Sequence, residues 1–192
     1  MEPIAPQMDL SGKLLIAMPG MGDPRFEHSV VYVCVHSDEG AMGLIVNKIA
    51  SQLSFSELLE QLDIARPHGD RDIRVHFGGP VEHGRGFVLH SSDYHSEKAS
   101  TMDIDEVFGL TATLDILQDM ARGTGPRQSL LALGYSGWGP GQLEEEIVQN
   151  GWLTCDASPD LVFDRDNGGK WTAALHRMGV DPKLLSSEAG HA

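Results

Sequence analysis

The feature that most constrains this chain is a valine-rich run from Ser29 to His36, followed by the turn Asp38-Glu39-Gly40 and a second apolar run from Ala41 to Asn47. β-Branched side chains suit a pleated, half-buried surface. Two such runs joined by a short glycine-containing turn predict a β-hairpin. Further strands are expected at Lys13 to Ala17, Ile73 to Phe77, Gly86 to His90 and Ser129 to Tyr135. Trp152 to Asp156 and Asp160 to Phe163 also read as extended. Loops rich in Pro and Gly, Met18 to Pro24 and Gly78 to Gly84, separate the early strands.

Helix signals alternate with these strands irregularly. Ser54-Phe55-Ser56-Glu57 is a capping box, with Leu53 and Leu58 spaced as a hydrophobic staple. Phe55, Leu58, Leu59 and Leu62 then form one helical face. A longer helix is expected from Asp105 to Arg122, where Val107, Leu110, Leu114, Leu117 and Ala121 recur at spacings of 3, 4, 3 and 4. Gly123 would close it as a left-handed cap. Two more helices are expected, from Pro140 to Gln149 with Asn150-Gly151 as its stop, and from Lys170 to Met178. Hairpins in the first half and no regular βαβ alternation favour an α+β fold over a doubly wound sheet. The length of 192 residues fits one domain, placed at residues 12–186 between a flexible leader at 1–11 and a frayed tail at 187–192; residues 65–72 read as a polar connector.

Charge excludes one class of partner. Lys plus Arg is 14 and Asp plus Glu is 28, a net charge of −14. The densest basic stretch, Arg66 to Arg74, interleaves Arg66, Arg71 and Arg74 with Asp70 and Asp72. Nucleic-acid affinity comes mostly from Lys and Arg neutralising phosphates, and no stripe supplies it, so direct nucleic-acid binding is not expected. Leu14 to Met18 falls far below the ~20 apolar residues of a membrane span, and no membrane partner is expected. Cys34 and Cys155 lie in apolar runs and read as reduced, inert thiols. With no signal-peptide pattern at the start, a cytoplasmic location is expected.

The most unusual stretch is Gly134-Tyr135-Ser136-Gly137-Trp138-Gly139-Pro140-Gly141, read as a tight turn between a buried strand and a helix. That is the setting of a nucleophile elbow, but Trp138 stands where the G-x-S-x-G pattern requires glycine. A triad in chain order would use Ser136, Asp160 or Asp164, and His176. The competing reading makes the turn structural, with Trp138 as a packing anchor. Phosphate binding there is opposed by Glu144, Glu145 and Glu146 at the start of the next helix. His83, His90 and His95 fit no zinc spacing, and His28 and His36 could merely share a strand face, so neither metal nor cofactor is expected. Asp23, Asn47 and Arg85 stand at strand ends among glycines. With Ser136, Trp138 and Gln142 they form a candidate ligand pocket. They could equally hydrogen-bond their own loops.

These stretches together resemble one family. They are Leu15-Ile16-Ala17-Met18-Pro19 with Asp23-Pro24 and Phe26, Gly40-Ala41-Met42-Gly43-Leu44 ending in Asn47, and Gly78-Gly79-Pro80-Val81. Arg85-Gly86-Phe87-Val88-Leu89-His90 and Leu133-Gly134-Tyr135-Ser136-Gly137-Trp138 with Gly141-Gln142-Leu143-Glu144 complete the set. The chain is similar over nearly its whole length to the YqgE/AlgH family, bacterial proteins of uncharacterised function. Gly20 and Gly22 depart from the family's usual first loop. The resemblance implies an α+β fold with a bifurcated, largely antiparallel β-sheet surrounded by helices. It carries over no activity, cofactor or catalytic residue. Some members are labelled transcriptional regulators, which this chain's lack of a basic face turns into an indirect role. The leading expectation is a cytoplasmic binding protein for a small molecule or a protein, not an enzyme. The alternatives are a hydrolase built on Ser136 and a direct DNA-binding regulator.

Overall fold

One strand, Ser129–Trp138, belongs to two arms of a forked sheet. The computed structural model describes residues 8–20, 22–65, 73–96 and 101–185. In chain order the strands are β1 (Lys13–Ala17), β2 (Val30–Ser37), β3 (Gly40–Ile45), β4 (Val75–Phe77), β5 (Val81–Ser91), β6 (Thr101–Asp103), β7 (Phe108–Thr111), β8 (Ser129–Trp138) and β9 (Trp152–Asp156). The helices are α1 (Phe55–Gln61), α2 (Leu114–Arg122), α3 (Gln142–Val148), α4 (Pro159–Val162) and α5 (Lys170–Arg177). The strand order is β6-β7-β5-β8-β3-β2-β1-β9, antiparallel except where β4 joins β8 in parallel. This is an α+β fold. Among the described residues no helix is long and apolar enough to cross a membrane.

The fork follows from where β8 changes partners. Its first half pairs with β5, Leu131 facing Val88, and with β4, Leu131 facing Val75. Its second half pairs with β3, Trp138 facing Ala41 and Ser136 facing Gly43. Between the halves Gly134 takes φ +73° and the chain at Gly79, φ +155°, passes against the backbone of Tyr135. The Gly78 amide donates to the Leu133 carbonyl at 2.8 Å and its carbonyl accepts from Ile45 at 2.9 Å, tying β8 and β3 to one residue.

Successive side chains of a strand point to opposite faces, and here both faces are covered. Leu14, Ile16, Val30 and Tyr32 enter a core shared by both arms and roofed by α4 and α5 residues such as Leu161 and Leu175. Leu15, Ala17, Val31 and Val33 face the other way, onto Trp138, Trp152 and Leu143 of α3. Helices α1 and α2 cover the second arm with Phe55, Leu58, Leu59, Ile116, Leu117 and Met120. The capping box forms as its residues predict, Ser54 accepting from the Glu57 amide and Glu57 from the Ser54 amide.

Several sequence expectations change. The helix expected over residues 105–122 begins only at Leu114, and Phe108–Thr111 is a strand. Asp105 accepts from the amides of Val107 and Phe108, both at 2.8 Å, and this turn launches β7. The regular spacing ran across a strand and a helix: Val107 and Leu114 are exposed, whereas Ile116, Leu117 and Met120 are buried. Asp160 to Phe163 is mostly the short helix α4, started by Ser158 accepting from Leu161 with Pro159 at the first helical position. The segment from Gly134 to Trp138 is strand, not turn, because Ser136, Gly137 and Trp138 find partners on β3. β5 begins at Val81, inside the expected loop, and β3 ends at Ile45, before Asn47. Residues 66–72 of the connector, 1–7 of the leader and the tail at 187–192 lie outside the described residues.

Candidate functional site

Where the arms of the fork diverge, they enclose an open groove of about 770 Å³. Ligand pockets typically occupy ~300–1,000 Å³ and are mainly apolar with a few placed polar groups. Met42 of β3, Phe87 of β5, Leu110 of β7 and Tyr135 of β8 are among its lining residues. Val35 of β2 and Met102 of β6 also line it, 42% and 39% exposed. Single exposed apolar residues are ordinary, but several converging on one concavity mark an interaction surface.

Among the described residues lining the groove, Glu39 and Arg85 are the only charged ones. The Arg85 guanidinium carbon sits 5.1 Å from the Phe87 ring centroid, and its Nη1 donates to Glu82 at 3.3 Å. Phe87 meets Tyr135 edge to face at 5.8 Å. An exposed ion pair contributes little, so Arg85 can exchange Glu82 for an incoming anion at small cost.

Of the six residues proposed from the sequence, the groove gathers two, Arg85 and Trp138. Trp138 is 7% exposed, with its ring 6.0 Å from that of Trp152. The other four serve the backbone. Asp23 caps the 3-10 turn Pro24–Phe26, accepting from the Arg25 amide at 3.0 Å; the Arg25 side chain holds its carboxyl below the usual range. Asn47 accepts from Val30 at 2.9 Å and donates to the His28 carbonyl at 2.8 Å. Gln142 accepts from the Gly139 amide at 3.0 Å. Ser136 is fully buried and donates to the Gly78 carbonyl at 3.2 Å.

That last contact bears on nucleophilic chemistry, which requires a base within hydrogen-bond reach of the hydroxyl. The Ser136 hydroxyl donates to a carbonyl, and the best-buried histidines are engaged elsewhere. His36 pairs with Glu144 and accepts from the Leu10 amide at 3.0 Å. His90 lies 2.8 Å from the Ser91 carbonyl and 2.9 Å from the Thr111 hydroxyl. Among the described residues no three His, Cys, Asp or Glu side chains group as metal ligands. Cys34 and Cys155 are free thiols, both pushed up by burial.

His76 predicts a pH dependence. Burial, aided by the Lys170 ammonium, lowers its pKa from 6.5 to about 4. Between those values the unfolded chain binds a proton that the folded chain refuses. Stability is therefore full above pH 6.5 and falls as pH drops toward 4, by up to ~3 kcal/mol from this residue. Urea melts at pH 7 and pH 4.5 should show a larger acid loss for wild type than for His76→Gln. Equal losses would refute the assignment.

The sequence carried no signal for Val35, Met42, Phe87, Met102 and Tyr135 as one surface. Their convergence depends on pairing between strands far apart in the chain. Comparison with known proteins places the whole chain. Residues 14–183 match a family model described as AlgH-like. A UPF0301 protein of Cereibacter sphaeroides is 63% identical over 185 residues, covering 96% of this chain and 100% of the relative. A UPF0301 protein of Ruegeria pomeroyi is 60% identical over 186 residues, again covering 96% of this chain and all of the relative. The solution structure of the AlgH protein from Pseudomonas aeruginosa superposes with a TM-score of 0.78 at 43% identity, covering both chains completely. A crystal structure of a Corynebacterium diphtheriae protein shares the fold, with a TM-score of 0.75 at 18% identity over 95% of this chain and 94% of that one.

Proposed function

The chain belongs to the AlgH-like family, and from that premise we propose that it is a binding protein whose fork groove takes a small organic anion with an apolar or aromatic body. The carrying observation is the groove itself: an apolar concavity of ligand size with one arginine stacked on its lining. The aromatic edges of Phe87 and Tyr135 suit a flat body, and Arg85 suits a carboxylate or sulfonate at its rim. On this reading residues 12–186 act as one cytoplasmic binding domain, and any regulatory role is exercised through the ligand. The buried Ser136 weighs against a hydrolase, and the net charge of −14 against direct DNA contact.

The test uses 8-anilinonaphthalene-1-sulfonate, an aromatic body carrying one anionic group. Its fluorescence should rise saturably at one site per chain. Arg85→Glu, a change at an exposed position, should weaken binding about tenfold by replacing attraction with repulsion. The neutral analogue N-phenyl-1-naphthylamine should respond much less to the same substitution. Absence of saturable binding, or sulfonate binding indifferent to Arg85→Glu, would overturn the proposal.

A further inference from the structure

Away from the groove, the fold buries a lysine. Lys170 opens α5 and is 1% exposed. Its ammonium donates to the Val46 carbonyl at 2.8 Å and the Val162 carbonyl at 2.7 Å. An ammonium carries three donors, so these two bonds leave one. The side chain lines a second, smaller cavity of about 100 Å³, together with Arg74, His76, Ser129, Asp164 and Arg165.

The described lining of this cavity carries more cationic than acidic side chains. Among the described residues, Arg74, Arg165 and Lys170 line it with one carboxylate, Asp164, while Asp166 stands near enough to act on Lys170, in a protein of net charge −14. Arg74 is anchored by a bond from Nη2 to the Arg165 carbonyl at 2.6 Å. His76 is held with defined roles for its two nitrogens. Asn167 Nδ2 lies 3.0 Å from Nε2 and can only donate there, so Nδ1 donates to the Leu131 carbonyl at 3.2 Å. Asn167 Oδ1 is buried and accepts no hydrogen bond among the described residues.

We propose that this cavity is a binding site for a small free oxyanion of the sulfate or phosphate type, held by Lys170 and Arg74. The size suits a small ion: at about 100 Å³ the cavity is far smaller than the fork groove of about 770 Å³. Guanidinium and ammonium donors are the groups that recognise such oxygens. Burial disfavours an ammonium, and Lys170 shows it. Burial first, then Arg74, lowers its pKa to about 8, with Asp164 and Asp166 pulling the other way. An anion in the cavity favours the charged lysine, so binding and protonation support each other. Among the described residues, the groups that bear on Lys170 are Arg74 and His76 on the β4 side and Asp164, Arg165 and Asp166 in the α4–α5 connection. His76 stays neutral above pH 6.5, which leaves Lys170 as the group that titrates between pH 7 and 9.

Sulfate is the probe, because its charge is constant over that range. Titrated into the full chain, it should shift the amide resonances of His76, Arg165 and Lys170 saturably. Affinity should fall about tenfold from pH 7 to pH 9 as the ammonium is lost. Arg74→Gln should weaken sulfate about tenfold, and Arg85→Glu in the groove should leave it unchanged. Lys170→Met should abolish binding; if that variant does not fold, the wild-type pH profile reads the same residue. No saturable shift, a pH-independent affinity, or equal binding by Arg74→Gln would overturn the proposal. Glycerol phosphate binding more tightly than sulfate would overturn the free-ion assignment.

Discussion

Trp138→Ala should cost ~3–5 kcal/mol of unfolding free energy, the range for truncating a buried tryptophan. The ring is 7% exposed and sits in a cluster with Leu15, Val31, Ile45 and Leu143. Its partner Trp152 lies 6.0 Å away at 77° and meets Phe26 in turn at 5.7 Å. Truncation therefore empties a space within this cluster and removes a residue that lines the groove. Ser136→Ala, two residues earlier, should cost only about 1 kcal/mol, for one hydrogen bond to the Gly78 carbonyl. Urea denaturation of both variants decides this. The reverse order of stability would contradict the packing role given to Trp138.

The second large effect is expected at the crossing of the two arms. A Cβ on Gly79 would lie 2.2 Å from the carbonyl carbon and oxygen of Tyr135, at a φ of +155°. One on Gly134 would lie 2.5 Å from the Gly79 carbonyl oxygen and 3.1 Å from that of Val81, at a φ of +73°. The atoms in the way are backbone on both sides, so no side chain can move aside. Gly79→Ala should therefore cost ~3 kcal/mol or more, combining a strained φ with a separation of paired strands. Gly84→Ala is the control, since its Cβ would meet nothing within 4 Å. Thermal melts of the two variants should differ widely, and coincident melts would show that the fork does not depend on this crossing.

These two sites mark where reading the sequence stops short. The composition of Gly134 to Gly141 signals a special backbone, and the structure has one, at Gly134 and again at Gly141 with φ +74°. Sequence pattern alone predicts one continuous turn over Gly134 to Gly141, the setting of a nucleophile elbow at Ser136. The structure runs β8 through to Trp138 and buries the serine, because β3 supplies hydrogen-bond partners that no local pattern announces. Similarly, the helical spacing from Val107 to Ala121 holds on paper. Apolar residues of a strand and of a following helix can keep that rhythm without sharing a face.

What the sequence determined by itself is the structure made by groups a few residues apart. The Ser54–Glu57 box, the β2–β3 hairpin and the left-handed Gly123 close over short distances, where the partners are written side by side. So are the bonds of Asp23 and Gln142, which explains why residues with the right chemistry for a pocket are engaged by their own loops. The family was legible too, since many ordered motifs survive without knowledge of their contacts. Only the tertiary structure decided which arms diverge, that Arg85 and Trp138 face one groove, and that Lys170 is sealed among carbonyls. Those outcomes depend on the pairing of β8 with both β3 and β5 and on α5 packing against β1. Such long-range pairings are chosen by the burial of the whole sheet, and no window of sequence contains both partners.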